Sequence, residues 1–152
     1  MEKDFKELID LLNRALEMEH QANIQYLSHA EVLDGENCEP IIGRLQEIAK
    51  DEKEHAAKLR TLIGDFLDGV PAITMAKAKN ASTREEILTV NIDGEKEAVD
   101  FYAKVLAKIN EQKQSLPYNF LKLEHDIRHI IMDEQEHISE LRKLAAKKLK
   151  QI

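Results

Sequence analysis

The segment Asp51-Glu52-Lys53-Glu54-His55 returns as Asp133-Glu134-Gln135-Glu136-His137, shifted by 82 positions. A second pair flanks it. Glu19 stands seven residues before Tyr26, and Glu95 seven before Tyr102, both shifted by 76. On a helix, residues three apart share a face, so each Glu-x-x-His presents a carboxylate and an imidazole side by side. Two such segments, with one Glu from each of two further helices, form the ligand set of a carboxylate-bridged dinuclear metal site in a four-helix bundle. The candidate metal ligands are therefore Glu19, Glu52, His55, Glu95, Glu134 and His137.

The apolar periodicity agrees. A first helix is expected from about Asp4 to Val32, with an inward stripe of Leu8, Leu12, Leu16, Glu19 and Tyr26. A second is expected from Pro40, a proline suited to a first turn, to about Leu67, with Leu45, Ile48, Glu52, His55 and Leu59 inward. A third opens at Ser82-Thr83-Arg84-Glu85, read as a capping box, and runs to about Asn110 through Leu88, Glu95, Tyr102 and Leu106. The fourth opens at Ser115-Leu116-Pro117 and runs to about Leu149 through Ile127, Glu134, His137 and Leu141. The long connection from Gly69 to Ser82 predicts a crossover to the far end of the bundle, with the second and third helices parallel.

Each ligand candidate thus interrupts an otherwise apolar stripe. Glu is rarely buried unless paired or metal-bound. Four helices carrying the same violation at mid-length argue for a metal centre rather than chance. The halves read as a duplicated helix hairpin.

The 152 residues suit one domain, 1–152, with 43% hydrophobic and 34% charged residues and few Gly or Pro. The expected class is all-α: an antiparallel four-helix bundle with one long crossover. A net charge of −7 argues against nucleic acid as a partner. No apolar run approaches the roughly 18 residues that cross a membrane. The start, Met1-Glu2-Lys3-Asp4, lacks a signal-peptide pattern, so a cytoplasmic protein is expected. Cys38, the single cysteine, reads as a small apolar residue. The basic end (Lys143, Lys147, Lys148, Lys150) reads as a solvated last turn.

Mixed oxygen and nitrogen ligands suit iron(II) or manganese(II), and four carboxylates balance two divalent ions. Glu52 and Glu134 are the expected bridges. His55 and His137 are the terminal nitrogen ligands, and Glu19 and Glu95 the terminal carboxylates. Tyr26 is a candidate catalytic residue that hydrogen-bonds a ligand carboxylate or supplies an electron. Tyr102 has the same choices, with a core tyrosine as the alternative. Glu54 and Glu136 read as solvated. His125 and His129 read as a polar face, and His20 and His29 receive no role.

With these residues in place the chain resembles the ferritin-like diiron-carboxylate superfamily, and bacterioferritin in particular. The similarity runs through Leu12-Asn13, Glu19-His20-Gln21-Ala22-Asn23-Ile24-Gln25-Tyr26, Gly69-Val70-Pro71 and Glu85-Glu86-Ile87-Leu88. The resemblance implies two iron ions per chain at the six residues, manganese being the other metal considered. It also implies Fe(II) oxidation by dioxygen or hydrogen peroxide in iron handling and storage and in oxidative-stress protection, in a homo-oligomer that is a dimer or larger. Haem is not expected, because Lys53 stands where bacterioferritin has its haem-ligating Met. The chain stops fifteen residues after His137, so the fifth helix of ferritin cages is not expected either. The paired tyrosines also look like rubrerythrins, which makes peroxide reduction, or a dimanganese catalase, the alternative activity. The extra Glu that rubrerythrins carry on the third helix is not expected here, since Asn91 and Ile92 stand a turn before Glu95 and Ala98 and Val99 a turn after. A non-catalytic iron-storage or carrier protein is the alternative of another class.

Overall fold

The computed structural model describes the backbone of residues 2–150 and the side chains of 5–145. Lys147, Lys148 and Lys150 of the basic end therefore have side chains outside the described residues. The chain forms four long helices and, among the described residues, no strand: α1 (Glu2–Val32), α2 (Glu39–Thr61), α3 (Arg84–Glu111) and α4 (Phe120–Lys150). The all-α four-helix bundle is as the sequence predicts.

Local chemistry sets the ends. Gly35 (φ 99°) and Asn37 (φ 68°) turn the chain between α1 and α2 with left-handed backbone that a β-branched residue would resist. Pro40 lies in the first turn of α2, as its missing N–H allows. The capping box of α3 sits one residue later than expected. Thr83 accepts from the Glu86 amide at 3.2 Å, and the Glu86 carboxylate accepts from the Thr83 amide at 3.3 Å. Thr83 and Ser82 are both competent caps, so sequence alone did not separate the registers. The second helix does not run as α-helix to Leu67. Its last turn widens to a π-turn over Leu62–Phe66, closed by Leu67 N–H to the Leu62 carbonyl at 3.1 Å. The wider turn buries Leu62 and Ile63 together. The fourth helix begins at Phe120 rather than Pro117, because the turn before it is used by Asn119, whose side-chain amide donates to the Phe66 carbonyl at 2.8 Å.

At Gly69 the backbone comes so close to α1 that a Cβ would lie 3.0 Å from Ile9 Cγ2 and 3.1 Å from Ile63 Cγ2. From there the crossover climbs α1 in register. The Asn13 amide donates to the Val70 carbonyl, Ala76 N–H to the Glu17 carbonyl, and Lys79 N–H to Gln25 Oε1. These contacts advance along α1 in its own direction. The crossover therefore carries the chain back to the end where α1 finishes, and α3 runs parallel to α2.

Apolar side chains fill the bundle in two clusters. One gathers Leu8, Leu12, Leu59, Val105, Ile109 and Ile127. The other gathers Ala30, Ile41, Leu45, Ile48, Leu88 and Leu141, with Cys38 among them. Cys38 Sγ donates to the Asp34 carbonyl at 3.1 Å and behaves as the small buried residue expected.

Candidate metal centre

Between these apolar layers lies a layer of charge. All six predicted ligands converge there, one or two from each helix, and each is at most 3% exposed. Glu19 comes from α1, Glu52 and His55 from α2, Glu95 from α3, and Glu134 and His137 from α4. Among the described residues, two groups of metal-ligating side chains can hold an ion. They are Glu19, Glu52, His55 and Glu134, and Glu52, Glu95, Glu134 and His137, each with its ligand atoms within 4.8 Å of one another. Glu52 and Glu134 belong to both groups, the place predicted for the bridges.

The distances support two adjacent positions. His55 Nδ1 lies 3.4 Å from Glu19 Oε2, 3.1 Å from Glu52 Oε1 and 3.4 Å from Glu134 Oε1. His137 Nδ1 lies 3.3 Å from Glu95 Oε2, 3.3 Å from Glu134 Oε1 and 3.7 Å from Glu52 Oε1. The imidazole centroids are 6.4 Å apart, with the carboxylates between them. Glu19 Oε1, Glu52 Oε1, His55 Nδ1 and Glu134 Oε1 are buried and lack a hydrogen-bond donor or acceptor of good geometry. Buried polar atoms are nearly always satisfied, so four orphans in one layer mark a missing partner. Divalent cations fit: they satisfy carboxylate oxygens and imidazole nitrogens together and cancel four negative charges.

The histidines are aimed by residues to which sequence reasoning gave no role. The Nε2 of His55 meets Asp133 Oδ2 at 2.9 Å, and the Nε2 of His137 meets Asp51 Oδ2 at 2.9 Å. Each Asp reaches across to the histidine of the other half. An Asp accepting from Nε2–H leaves Nδ1 turned inward, the arrangement by which outer carboxylates fix a ligand imidazole's tautomer and orientation. The signal was present, since Asp precedes the Glu of Glu-x-x-His in both copies of the repeated segment.

The tyrosines cross over in the same way. Tyr26 OH donates to Glu95 Oε1 at 2.7 Å, and Tyr102 OH donates to Glu19 Oε2 at 2.5 Å. Each therefore braces the carboxylate of the opposite half, Glu95 or Glu19, rather than that of its own helix. Burial, then the charge of the facing carboxylates, holds both phenols well above their ordinary range, so they stay protonated donors. We expect Tyr26→Phe to keep the fold and to lower metal affinity about 10–100-fold, as losses of such supporting partners do. Titration with Co(II), followed optically, measures it.

The remaining candidates fall elsewhere. Glu54 and Glu136 are exposed, as expected. The His125 and His129 rings lie 4.1 Å apart, tilted by 33°, and His125 Nδ1 engages Asp126 at 3.0 Å. His20 contacts the Thr74 carbonyl at 2.7 Å. His29, to which the sequence gave no role, is buried among polar partners beneath the crossover.

One face of the cluster is open. A cavity of about 220 Å³ reaches Glu19, Glu52, Glu95 and Glu134 between α1 and α3, with crossover residues Ala76, Lys77 and Lys79 along one side. Gly94 lines it, and a Cβ built there meets nothing within 4 Å. Its backbone is ordinary helix, so the glycine serves space rather than conformation. Gly94→Ala should stabilise the metal-free protein by about 1 kcal/mol, the helix-propensity difference, and narrow the cavity. Thermal unfolding checks the sign.

The architecture and its site define a class: a duplicated helix hairpin enclosing a paired carboxylate–histidine centre. The ferritin-like domain model matches residues 9–150, and the chain belongs to that family. Among solved structures, a ferritin-like diiron-carboxylate protein from Bacillus anthracis is 28% identical over 95% of this chain and 99% of its own, with a TM-score of 0.86. The Desulfovibrio desulfuricans bacterioferritin is 24% identical, covers 95% of this chain and 81% of its own, and gives a TM-score of 0.84. A dodecameric thioferritin from Bacteroides fragilis is 24% identical over 96% of this chain and 88% of its own, with a TM-score of 0.81. These last two share the fold. No curated protein matches the chain.

Proposed function

We propose that the centre binds two iron ions per chain and oxidises Fe(II) with dioxygen or peroxide, in iron handling and protection from oxidants. The observation that carries this reading is the sharing of Glu52 and Glu134 between two four-residue ligand groups with orphaned buried atoms. Two iron ions held by Glu19, Glu52, His55, Glu95, Glu134 and His137 would supply two electrons together to an oxygen–oxygen bond. The chain's own residues do the rest. Asp51 and Asp133 hold the imidazoles with Nδ1 inward. Tyr26 and Tyr102 hold the terminal carboxylates. The two apolar clusters exclude bulk water on either side of the layer. The α1–α3 cavity gives a small oxidant a path to the carboxylates.

Iron is favoured by the diiron-carboxylate nature stated for the Bacillus anthracis relative. Lys53, exposed on α2, offers no haem ligand. The same reading takes the chain as a single cytoplasmic domain that assembles as a homo-oligomer, in line with the dodecamer formed by the Bacteroides fragilis protein.

The test is elemental analysis of purified protein, repeated after anaerobic Fe(II) addition and then air. Two metals per chain, with ferric absorbance growing on aeration, is the expected result. Manganese as purified, with hydrogen peroxide turnover, would move the assignment to a catalase or peroxide reductase. Failure to take up any metal would end the proposal.

A further inference from the structure

A closed ring of hydrogen bonds ties the crossover to the bundle. Lys79 N–H donates to Gln25 Oε1 at 2.8 Å. Gln25 Nε2 donates to Asn91 Oδ1 at 3.0 Å. Asn91 Nδ2 donates to the Ile87 carbonyl at 2.8 Å and faces His29 Nδ1 at 2.9 Å. His29 Nε2 returns to the Lys79 carbonyl at 2.9 Å. Gln25, His29 and Asn91 are each 5% exposed or less. The ring begins and ends on the backbone of one residue, Lys79, which also lines the cavity over the metal centre.

Those backbone ends fix the direction of every bond. The Lys79 N–H can only donate, so Gln25 must present its oxygen there and its NH₂ to Asn91. Asn91 must then present its oxygen to Gln25 and its NH₂ to the Ile87 carbonyl and to His29. His29 Nδ1 must accept, so the proton sits on Nε2 and points at the Lys79 carbonyl. The neutral Nε2–H tautomer completes the circuit. An imidazolium carries a second N–H at Nδ1, aimed at the Asn91 NH₂. Turning Asn91 over would lose the Ile87 carbonyl and set its NH₂ against that of Gln25. Turning Gln25 over would then set its NH₂ against the Lys79 N–H and against Gln21 Nε2, which donates to Gln25 Oε1 at 2.9 Å. No arrangement of the ring accommodates the charged form.

The groups facing the imidazole are few. From α3 comes the neutral amide of Asn91, itself held by the neutral amide of Gln25 on α1. From the crossover comes Lys79, whose ammonium lies 3.7 Å from Glu97 of α3. Among the described residues no carboxylate pairs with the ring to favour its charged form.

We propose that the crossover is a latch released by protonation of His29, which frees the strand of chain around Ala76–Lys79 and widens the cavity over the carboxylate–histidine cluster. Release of the strap then raises access of small solutes to the centre. Burial, which lowers the pKa of His29, sets the release on the acid side of neutrality.

Hydrogen exchange by mass spectrometry on the full chain tests this. Peptides spanning 72–80 are followed in wild type and in His29→Gln at matched pH, so that intrinsic exchange cancels. Gln cannot be charged and can still reach the Lys79 carbonyl. The expected result is matched exchange at pH 7.5 and roughly tenfold faster exchange in wild type at pH 5.0, since each pH unit between the pKa of the freed imidazole and its lower value in the closed ring multiplies the ratio of released to latched protein about tenfold. A wild-type to variant ratio that is the same at both pH values would overturn the latch. Gln25→Ala provides an independent cut, and its strap should exchange rapidly already at pH 7.5; a strap still protected there would also overturn it. Nitrogen-15 shifts must show His29 as the Nε2–H tautomer at pH 7.5, and the Nδ1–H tautomer would refute the ring's polarity. These readouts report on the strap alone and hold whichever metal the cluster takes.

Discussion

Replacing Glu52 by Ala is expected to remove both metals from the chain, whereas replacing Glu19 by Ala should remove one. Glu52 contributes to both ligand groups, while Glu19 serves only the group that contains His55. Loss of an outer partner of a metal ligand costs about 10–100-fold in affinity, and loss of a shared ligand must exceed that. The fold should survive either change. In the metal-free protein Glu52 crowds Glu134, Glu19 and Glu95 in a buried layer, so its removal relieves repulsion as well as enlarging the cavity that reaches them. Elemental analysis alongside circular dichroism distinguishes the outcomes. Equal metal content in Glu52→Ala and Glu19→Ala would refute the bridging role, and lost helicity would show the carboxylates to be structural instead.

The second large effect is that metal loading should raise thermal stability by an amount that grows with pH. In the metal-free protein the cluster retains protons. Burial, followed by the neighbouring carboxylates, keeps Glu52 and Glu134 protonated well above the ordinary carboxylate value of 4.5. Burial alone would lower the pKa of His55, but Glu19 and Glu52 outweigh it and push it up to about 11. Glu95, Glu52 and Asp51 similarly overcome burial at His137 and push it to about 10.

Folded and metal-free, these groups bind more protons than the unfolded chain does, so stability falls as pH rises. The histidine contribution is fully present below the unfolded value of 6.5 and is lost as pH climbs through about 10 to 11. Metals must displace the same protons, so their affinity increases with pH. The two trends diverge. At free metal a hundredfold above Kd, stabilisation is about 2.7 kcal/mol, or about 5–10 °C in Tm for a chain of this size. Calorimetry of loaded and metal-free protein at pH 6, 7 and 8 should show the gap widening. A constant or narrowing gap would mean that the cluster holds no protons for metal to replace.

Much of this centre was legible before any coordinates. The six converging side chains could be read because a helix converts a three-residue spacing into a shared face, and because a charged residue in an apolar stripe stands out wherever it occurs. Tyr26 was legible for the same reason, though its acceptor was not: Glu95 lies on another helix, and helical periodicity says nothing about which stripe a side chain crosses to meet. Asp51 and Asp133 fell off the inward stripe and drew no role from it, yet at the edge of α2 and α4 they reach the neighbouring helix's imidazole. The boundaries of α2 and α4 shifted because the π-turn and the Asn119 contact draw on partners far along the chain.

The helices, the crossover length and the six candidate ligand positions follow from the chain alone, since each rests on local propensity and spacing of a few residues. Only the tertiary structure decided the crosswise pairing of tyrosine with carboxylate and aspartate with histidine, the open space at Gly94, and the ring that joins His29 to the crossover. Those depend on the register between helices. Packing of the two apolar clusters sets that register, and no short-range pattern in the chain encodes it.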